Sequence, residues 1–213
     1  MKDAYFNRNE VSNSDLGELK KFFMPRVQVG DIEKAYRFGT LVDAIITEPD
    51  KVDYFKMTVA GVQYSFDEFE QAKEMSKVFH RDEMCKSLLV HSDCQRVMAR
   101  EMDIEYVGVP FSLKVRCKWD LWMEPLKWGA DIKSTACTTQ KQFEEAIRYF
   151  EYDRQRAWYM DIAKSDRDML IGISKVNFKI FKVAIPRGGE LYESGKEKYA
   201  EMAFKHWCLF DNF

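Results

Sequence analysis

The first half of the chain carries apolar residues at intervals of three and four positions, the spacing of helices that bury one side. This pattern predicts a short helix over residues 11–23, which Pro25 would end, and a second helix over residues 31–47. The same spacing continues through residues 65–102, and a separate helix over residues 84–98 is predicted within that segment. The amino-terminal half is therefore expected to be largely helical.

The spacing changes to alternation near residue 104. Residues 104–120 alternate apolar and polar side chains, which indicates a strand with two unlike faces. A turn containing Pro125 and Gly129 leads to a short second strand over residues 130–135. The remaining chain is predicted to form a long helix, a strand or strand pair, a turn and a closing helix, over residues 138–163, 169–185, 186–189 and 191–207 respectively.

Composition indicates one folded unit. The 213 residues are 46% hydrophobic, which suffices for one sizeable core but not comfortably for two, so a single domain over residues 1–213 is expected. No apolar run approaches the roughly 20 residues that span a bilayer, and the first ten residues are polar. We therefore expect a cytoplasmic protein without membrane contact.

Cysteine usage and net charge narrow the class of protein further. The cysteines are odd in number and lack a CxxC pair, which argues against a disulfide framework and a zinc site; they are Cys85, Cys94, Cys117, Cys137 and Cys208. The formal charge of −2 argues against a protein that holds nucleic acid by bulk electrostatics alone. A nuclease is still compatible with it, because acidic metal ligands lower the charge and a bound ion restores positive potential.

The sharpest local feature is Asp120 followed, after ten residues, by Asp131-Ile132-Lys133. Side chains alternate along a strand, so Asp131 and Lys133 would share a face, and the turn between the strands could bring Asp120 beside them. Two carboxylates and the Ile132 carbonyl are the oxygen ligands that Mg²⁺ prefers. The lysine could orient water and offset charge on a phosphate. The alternative is an ordinary surface hairpin with solvated charges.

The surroundings of this motif add groups that suit a phosphate backbone. Cationic side chains on the polar face of the preceding strand, and hydroxyls directly after Lys133, are predicted to bind nucleic acid: Lys114, Arg116, Lys118, Ser134 and Thr135. The polar face that carries Asp120 thus mixes metal-binding acids with phosphate-binding cations.

Two further pairs lie four positions apart on predicted helices, and each has an ordinary explanation. Gln155 and Tyr159 share one helical face, where neutral polar groups often lie at the edge of a core. Gly39 and Asp43 have the same relation, although a lone helical aspartate is usually solvated and a lone glycine usually marks a close helix contact.

Taken together, these pieces resemble the PD-(D/E)XK nucleases, and among them the RecB-like and RecE-like exonucleases that include phage recombination enzymes. The resemblance covers about 150 residues, and its specificity lies in the order of the segments rather than in any one of them. The segments are VSNSDLGEL at 11–19, FGTLVDAIITEP at 38–49, VRCKWDLW at 115–122, ADIKST at 130–135 and RQRAWYMD at 154–161.

The resemblance implies a role for each matched residue. Asp120 and Asp131 would be metal ligands and Lys133 the catalytic lysine, and Gln155 and Tyr159 match a Q-x-x-x-Y motif that helps to position DNA or the lysine. Asp43 stands where the family often has His, so this residue either replaces that ligand or leaves the position without one.

Two other positions that the resemblance singles out give less information about function. Glu48 matches a common family acid to which we assign no role. The related CRISPR-associated nucleases hold an iron–sulfur cluster through four cysteines, including a close carboxy-terminal set. Cys208 stands alone in that region, so no iron–sulfur cluster is expected.

The fold implied is α/β, with a mixed central β-sheet flanked by helices and the hairpin over residues 113–135 at its centre. The activity implied is hydrolysis of DNA by a Mg²⁺-dependent enzyme, with Mn²⁺ as a substitute, giving a 5′-phosphate and a 3′-hydroxyl. A 5′-to-3′ exonuclease on double-stranded DNA in phage or prophage recombination is favoured. Its partner would be a single-strand annealing protein, and related exonucleases form homo-oligomeric rings.

Two alternatives to that activity stay open at the level of sequence. One is an endonuclease of restriction or repair type, and the other is a catalytically inactive DNA-binding protein that kept the fold. Intact Asp120, Asp131 and Lys133 favour catalysis over the inactive protein.

Overall fold

A computed structural model describes Tyr5, residues 8–25 and residues 31–210. Its helices are α1 Asn13–Phe23, α2 Ile32–Thr47, α3 Phe66–Arg81, α4 Glu83–His91, α5 Gln140–Tyr149, α6 Tyr152–Ala163 and α7 Glu190–Phe210. Its strands are β1 Val52–Asp53, β2 Thr58–Val59, β3 Val62–Gln63, β4 Asp93–Tyr106, β5 Val109–Met123, β6 Trp128–Thr135, β7 Arg167–Ser174 and β8 Ile180–Pro186. Within the described ranges, none of the helices combines the length and apolar character that crossing a membrane requires.

The central sheet has five strands in the order β4-β5-β6-β7-β8, and a small three-stranded sheet, β1-β2-β3, lies apart from it. Strand β6 runs parallel to β7, whereas the other neighbours in the central sheet are antiparallel. Parallel neighbours need a crossover connection, and α5 and α6 provide it. The predicted mixed sheet flanked by helices is therefore confirmed.

A separate hydrophobic cluster packs against each face of the central sheet. One cluster gathers buried residues of α1, α5, α6 and α7, including Leu16, Phe143 and Trp158. The other gathers residues of α2, α3 and α4, including Leu41, Phe69 and Leu88. Strand β6 contributes Ala130 and Ile132 to the second cluster, so its alternate residues project toward the first.

The prediction for residues 84–120 is wrong in two places. Helix α4 ends at His91, and residues 93–106 form a strand rather than the end of a helix. The predicted single strand is the hairpin β4–β5, turned at Val107 and Gly108, both with positive φ. The reason is tertiary: β4 pairs with β5 along its whole length, and a two-residue turn of positive φ matches the twist of paired strands.

The predicted helix over residues 138–163 is also broken in two. Helix α5 ends at Tyr149, α6 begins at Tyr152, and Glu151 between them takes a left-handed backbone conformation with φ 57°. Its carboxylate forms ion pairs with Lys20 of α1 and Arg154 of α6. The ion pair with α1, which is distant in sequence, thus stabilises the break between α5 and α6. The apolar spacing of the sequence does not reveal this break.

Candidate active site

Strand β6 brings Asp131 and Lys133 together on the face that meets α6. Because they are two residues apart on a strand, they share that face, and Lys133 Nζ lies 2.5 Å from Asp131 Oδ2. Asp131 is only 2% exposed. Burial opposes the charged form of Lys133, but the Asp131 and Asp120 carboxylates outweigh it and raise the pKa above its ordinary value. Lys133 therefore carries a positive charge at neutral pH.

Asp120 lies near the end of β5 and reaches across to β6. Its Oδ2 accepts a hydrogen bond of 2.7 Å from the backbone N–H of Ile132. Burial, followed by the negative charges of Asp131 and Asp43, raises the pKa of Asp120 well above its ordinary range. Ile132 thus touches the site through its amide, and the metal-ligand role of its carbonyl stays a prediction.

Asp43 comes to the same region from α2. Gln95 Nε2 donates to both of its carboxylate oxygens, at 3.1 and 3.0 Å, and Thr47 Oγ1 donates to one of them at 3.2 Å. Burial is the main cause that raises the pKa of Asp43 to about 6, and the charge of Asp131 adds to it. Asp43 is therefore half-buried and within electrostatic range of the strand carboxylate Asp131.

Gln95 was not anticipated from the sequence. It lies in β4 next to residues that pair with Leu121 and Trp119, and its φ of 56° is unusual for a strand residue other than glycine. A helix was predicted at this position, so the approach of Gln95 to Asp43 could not be expected.

Arg156 is the second unexpected residue, and it holds the other side of Asp131. Its Nη1 donates to Asp131 Oδ1 at 2.7 Å and its Nε donates to Asp168 Oδ2 at 2.6 Å. The guanidinium lies 4.6 and 4.5 Å from the ring centroids of Trp119 and Tyr159. The available signal was an arginine beside Ala157 and Trp158, on the part of the helix predicted to be buried.

The predicted motif pair on α6 divides between two environments. Tyr159 is buried, meets Trp119 edge to face and contacts the Arg156 guanidinium that binds Asp131. Gln155 is half-buried, and its side chain forms no hydrogen bond with any described residue. Another α6 residue, Tyr152, contacts the lysine, with its ring centroid 5.2 Å from Lys133 Nζ. The roles of Gln155 and Tyr159 stay predictions.

The predicted nucleic-acid-binding residues are not equally accessible. Arg116 is 4% exposed, donates to the backbone oxygen of Arg8 and to Asp15, and lies over the Tyr5 ring. These partners draw the Arg116 guanidinium inside, so it is less accessible than the sequence pattern predicted, and its contact with nucleic acid stays a prediction.

The other predicted contacts lie nearer to solvent. Lys114 is exposed and Lys118 half-buried. Ser134 and Thr135 are half-buried after Lys133, and the Thr135 hydroxyl accepts a hydrogen bond from the Cys137 amide. Their contact with DNA stays a prediction. Glu48, beyond α2, forms an ion pair with Lys51.

The chemistry of this donor set fits a hard divalent cation. Asp43 and Asp120 are half-buried and Asp131 is buried, the three carboxyl groups lie within electrostatic range of one another, and Asp131 Oδ2 has no hydrogen bond of normal geometry. In the part of the chain that the structure describes, no three His, Cys, Asp or Glu side chains already surround a common point. Protein donors occupy these carboxylates, so a cation would have to displace some of those contacts.

Comparison with known proteins gives the family. The model of the PDDEXK-like domain of unknown function (DUF3799) matches residues 21–184. No curated protein sequence is similar enough to be matched to the chain.

Among solved structures, the chain is similar to a protein from Eubacterium rectale assigned as an exonuclease, with a TM-score of 0.59, 19% identity, and coverage of 91% of this chain and 73% of that one. It is also similar to a phage-related exonuclease from Haemophilus somnus 129PT, with a TM-score of 0.44, 14% identity and coverage of 93% of each chain. Since the family match spans more than half of the chain, this protein belongs to the PDDEXK-like family, as its resemblance to the PD-(D/E)XK nucleases indicated.

Proposed function

We propose that this chain is a divalent-metal-dependent deoxyribonuclease with Asp120, Asp131 and Lys133 as its catalytic residues. The observation that carries the proposal is the convergence of these three side chains at the junction of β5 and β6 in a chain of the PDDEXK-like family. Nucleases with this domain generally use divalent metal ions. Asp120, Asp131 and the Ile132 carbonyl would hold the ion, with Asp43 as a further ligand.

Each residue has a distinct part in hydrolysis. When bound, the ion would supply activation of water and neutralisation of charge on the scissile phosphate. Lys133, kept charged by its carboxylate neighbours, would stabilise the negative charge that develops on the phosphate oxygens. Arg156 fixes one oxygen of Asp131 and leaves the other directed toward Lys133. The hydrogen bond from Arg156 would thus fix the orientation of the Asp131 carboxylate for catalysis.

The finer proposal is a Mg²⁺-dependent 5′-to-3′ exonuclease on double-stranded DNA, with Mn²⁺ as a substitute, acting in phage or prophage recombination. Its support is the RecE-like resemblance of the ordered sequence segments. A single-strand annealing protein as partner, and a homo-oligomeric ring that threads DNA, belong to the same proposal. The fold shared with the Eubacterium rectale protein is consistent with it.

Incubation with linear and covalently closed circular duplex DNA tests this function. The purified chain is combined with each DNA in Mg²⁺, in Mn²⁺ and in chelator, with Asp131→Ala as a matched inactive control. We expect the linear DNA to be degraded in Mg²⁺ or Mn²⁺ but not in chelator, and the circular DNA to stay intact in every condition. Nicked or linearised circles would identify an endonuclease, and no cleavage in any metal would contradict the nuclease proposal.

Polarity requires a second substrate set. Linear duplexes carry phosphorothioate linkages at the 5′ ends or at the 3′ ends, and the length of labelled product is followed with time. Protection by 5′ linkages alone is expected, whereas protection by 3′ linkages alone would reverse the polarity.

A further inference from the structure

A row of aromatic rings leads from the surface to Lys133. The Tyr152 ring centroid lies 5.2 Å from Lys133 Nζ, and Phe150 stacks on Tyr152 with centroids 5.6 Å apart and planes 26° apart. Tyr149 then meets Phe150 edge to face at 4.9 Å. The ring nearest the lysine is half-buried, whereas Phe150 and Tyr149 are 59% and 66% exposed. The exposed Phe150 ring therefore extends a stack that ends at the proposed catalytic lysine, and the Tyr149 ring lies perpendicular to it.

The break between α5 and α6 holds these rings in place. Glu151 has a left-handed backbone, which costs an L-residue about 1–2 kcal/mol, and strain of this kind persists only when surrounding contacts hold it. Lys20 from α1 and Arg154 from α6 supply those contacts. A continuous helix would not place Phe150 and Tyr152 side by side, because residues two apart on a helix do not face each other.

We propose that Phe150 and Tyr149 form a stacking platform for unpaired bases of the DNA strand whose phosphate lies at Lys133. The platform rests on the proposed nuclease function, and it extends that function by naming single-stranded nucleic acid as the form bound beside the cleavage site. Base–aromatic stacking tolerates every base, which suits an enzyme that must degrade DNA of any sequence.

The dimensions agree with this occupant. The ring separations of 5.6 and 5.2 Å keep Phe150 close enough to Lys133 for a base a few nucleotides or fewer from the bound phosphate to reach the ring. The competing occupant is a second copy of the chain. Two rings offer at most roughly 300–500 Å² even if fully buried, whereas a standard protein interface needs about 800 Å² per partner. The platform alone is too small for such an interface.

The platform is tested by comparing the binding of an oligonucleotide that carries bases with the binding of a strand that lacks them. Fluorescence anisotropy measures binding of a short labelled deoxythymidine oligonucleotide, and of an abasic strand of equal length, with Ca²⁺ in place of Mg²⁺ to prevent cleavage. Phe150→Ala should weaken deoxythymidine binding between about fivefold and a hundredfold and leave abasic binding unchanged. Phe150→Trp should restore the affinity, because it restores a stacking surface.

The matched control is Phe210→Ala, which removes another exposed ring at the end of α7. The nearby Trp207 stacks on Phe111, nine residues along β5 from Asp120, or roughly 30 Å at the rise of a strand. Binding of both strands should be unchanged in this variant. Circular dichroism of each variant establishes that the fold is retained.

The outcomes separate the platform from the nuclease. Equal weakening of deoxythymidine and abasic binding, or no weakening, would overturn the platform even if the wild type degrades DNA. A lower sedimentation mass of Phe150→Ala would also overturn it, by identifying an interface between copies. Conversely, base-dependent binding through Phe150 in a wild type that cleaves no DNA would support the platform and contradict the nuclease function.

Discussion

Among single residues, Asp131 links the two cations of the candidate site. Lys133 holds one of its oxygens and Arg156 the other, while Asp120 and Asp43 add negative charge nearby. Removing the Asp131 carboxylate and removing the Lys133 ammonium should therefore have different effects. The first takes away a proposed metal ligand, and the second takes away a proposed cation that faces the phosphate.

Substituting these two residues should separate metal binding from catalysis. Asp131→Ala should abolish cleavage and weaken Mg²⁺ binding, since it removes a ligand that no neighbour replaces. Lys133→Ala should retain Mg²⁺ binding but lose cleavage by orders of magnitude, because developing phosphate charge loses its partner. Calorimetric Mg²⁺ titration and a cleavage assay measure both. Full activity in Lys133→Ala would refute the mechanism, and full activity in Asp131→Ala would refute the site.

The main expected effect of substituting Arg156 is a loss of folding stability. Burial opposes its charge, yet Asp168 and Asp131 outweigh burial and raise its pKa. Arg156→Leu leaves the buried Asp168 without its cationic partner and Asp131 with Lys133 alone, and it should lower the free energy of unfolding by about 3–5 kcal/mol. Asp168→Asn, which keeps Asp131 paired, should cost less. Urea unfolding compares the two, and a loss below about 1 kcal/mol in Arg156→Leu would contradict a buried ionic cluster.

At the scale of elements, the boundary between α5 and α6 gives the clearest test. In a continuous helix Ala is more favourable than Gly by about 1 kcal/mol, whereas a left-handed residue favours Gly. Glu151→Gly should therefore be more stable than Glu151→Ala by about 1 kcal/mol, although both lose the ion pairs with Lys20 and Arg154. Thermal and urea unfolding measure the difference. The reverse order would show that the helix is continuous.

The start of α4 predicts a pH dependence of stability. Asp82 caps the helix and pairs with Lys182 of β8. Partial burial alone would raise the pKa of Asp82, but the hydrogen bonds from Lys182 and the Cys85 amide hold it below its ordinary value. A lowered folded-state pKa contributes stability above the unfolded value of about 4 and loses it as pH falls through the folded value.

Asp82→Asn isolates that charge, because Asn caps helices as well as Asp does. The variant should be less stable than the wild type by about 0.2–1 kcal/mol at neutral pH, and the difference should vanish at pH values below the lowered pKa. Urea unfolding at a series of pH values measures it. A difference that persists unchanged in acid would assign the effect to packing rather than charge.

In the whole molecule, the packing of α7 on α6 joins the carboxy-terminal helix to the site helix. An added Cβ at Gly195 would lie 2.1 Å from the backbone oxygen of Asp153 and 3.0 Å from Ala157 Cβ. Gly195→Ala should therefore destabilise the protein by about 1–3 kcal/mol, because backbone on α6 or α7 must shift.

Gly17→Ala is the matched control on α1. Its Cβ would meet a side chain rather than backbone, the Arg154 guanidinium at 3.3 Å, which needs to shift by only a few tenths of an ångström, and Ala is the better helix former. It should be neutral or stabilising by up to about 1 kcal/mol in the same unfolding experiment. Equal effects of the two substitutions would contradict close packing of α6 against α7.

Short-range patterns in the sequence determined much of this protein. Helical spacing located α1, α2 and α3, and alternation along β6 placed Asp131 and Lys133 on one face. These features depend on neighbours within a few residues, so the order of side chains is enough to specify them. The ordered segments around the motif likewise indicated the family before any geometry was known.

Only the tertiary structure decided the features that depend on distant partners. Residues 93–106 are a strand because β5 pairs with them, and Arg116 is buried because Asp15 and the Arg8 carbonyl receive it. Arg156 joins the site because Asp131 and Asp168, remote from it in sequence, meet on neighbouring strands. Pairing, burial and the environment of a charge are set by residues brought together in folding, and the local order of side chains carries little information about them.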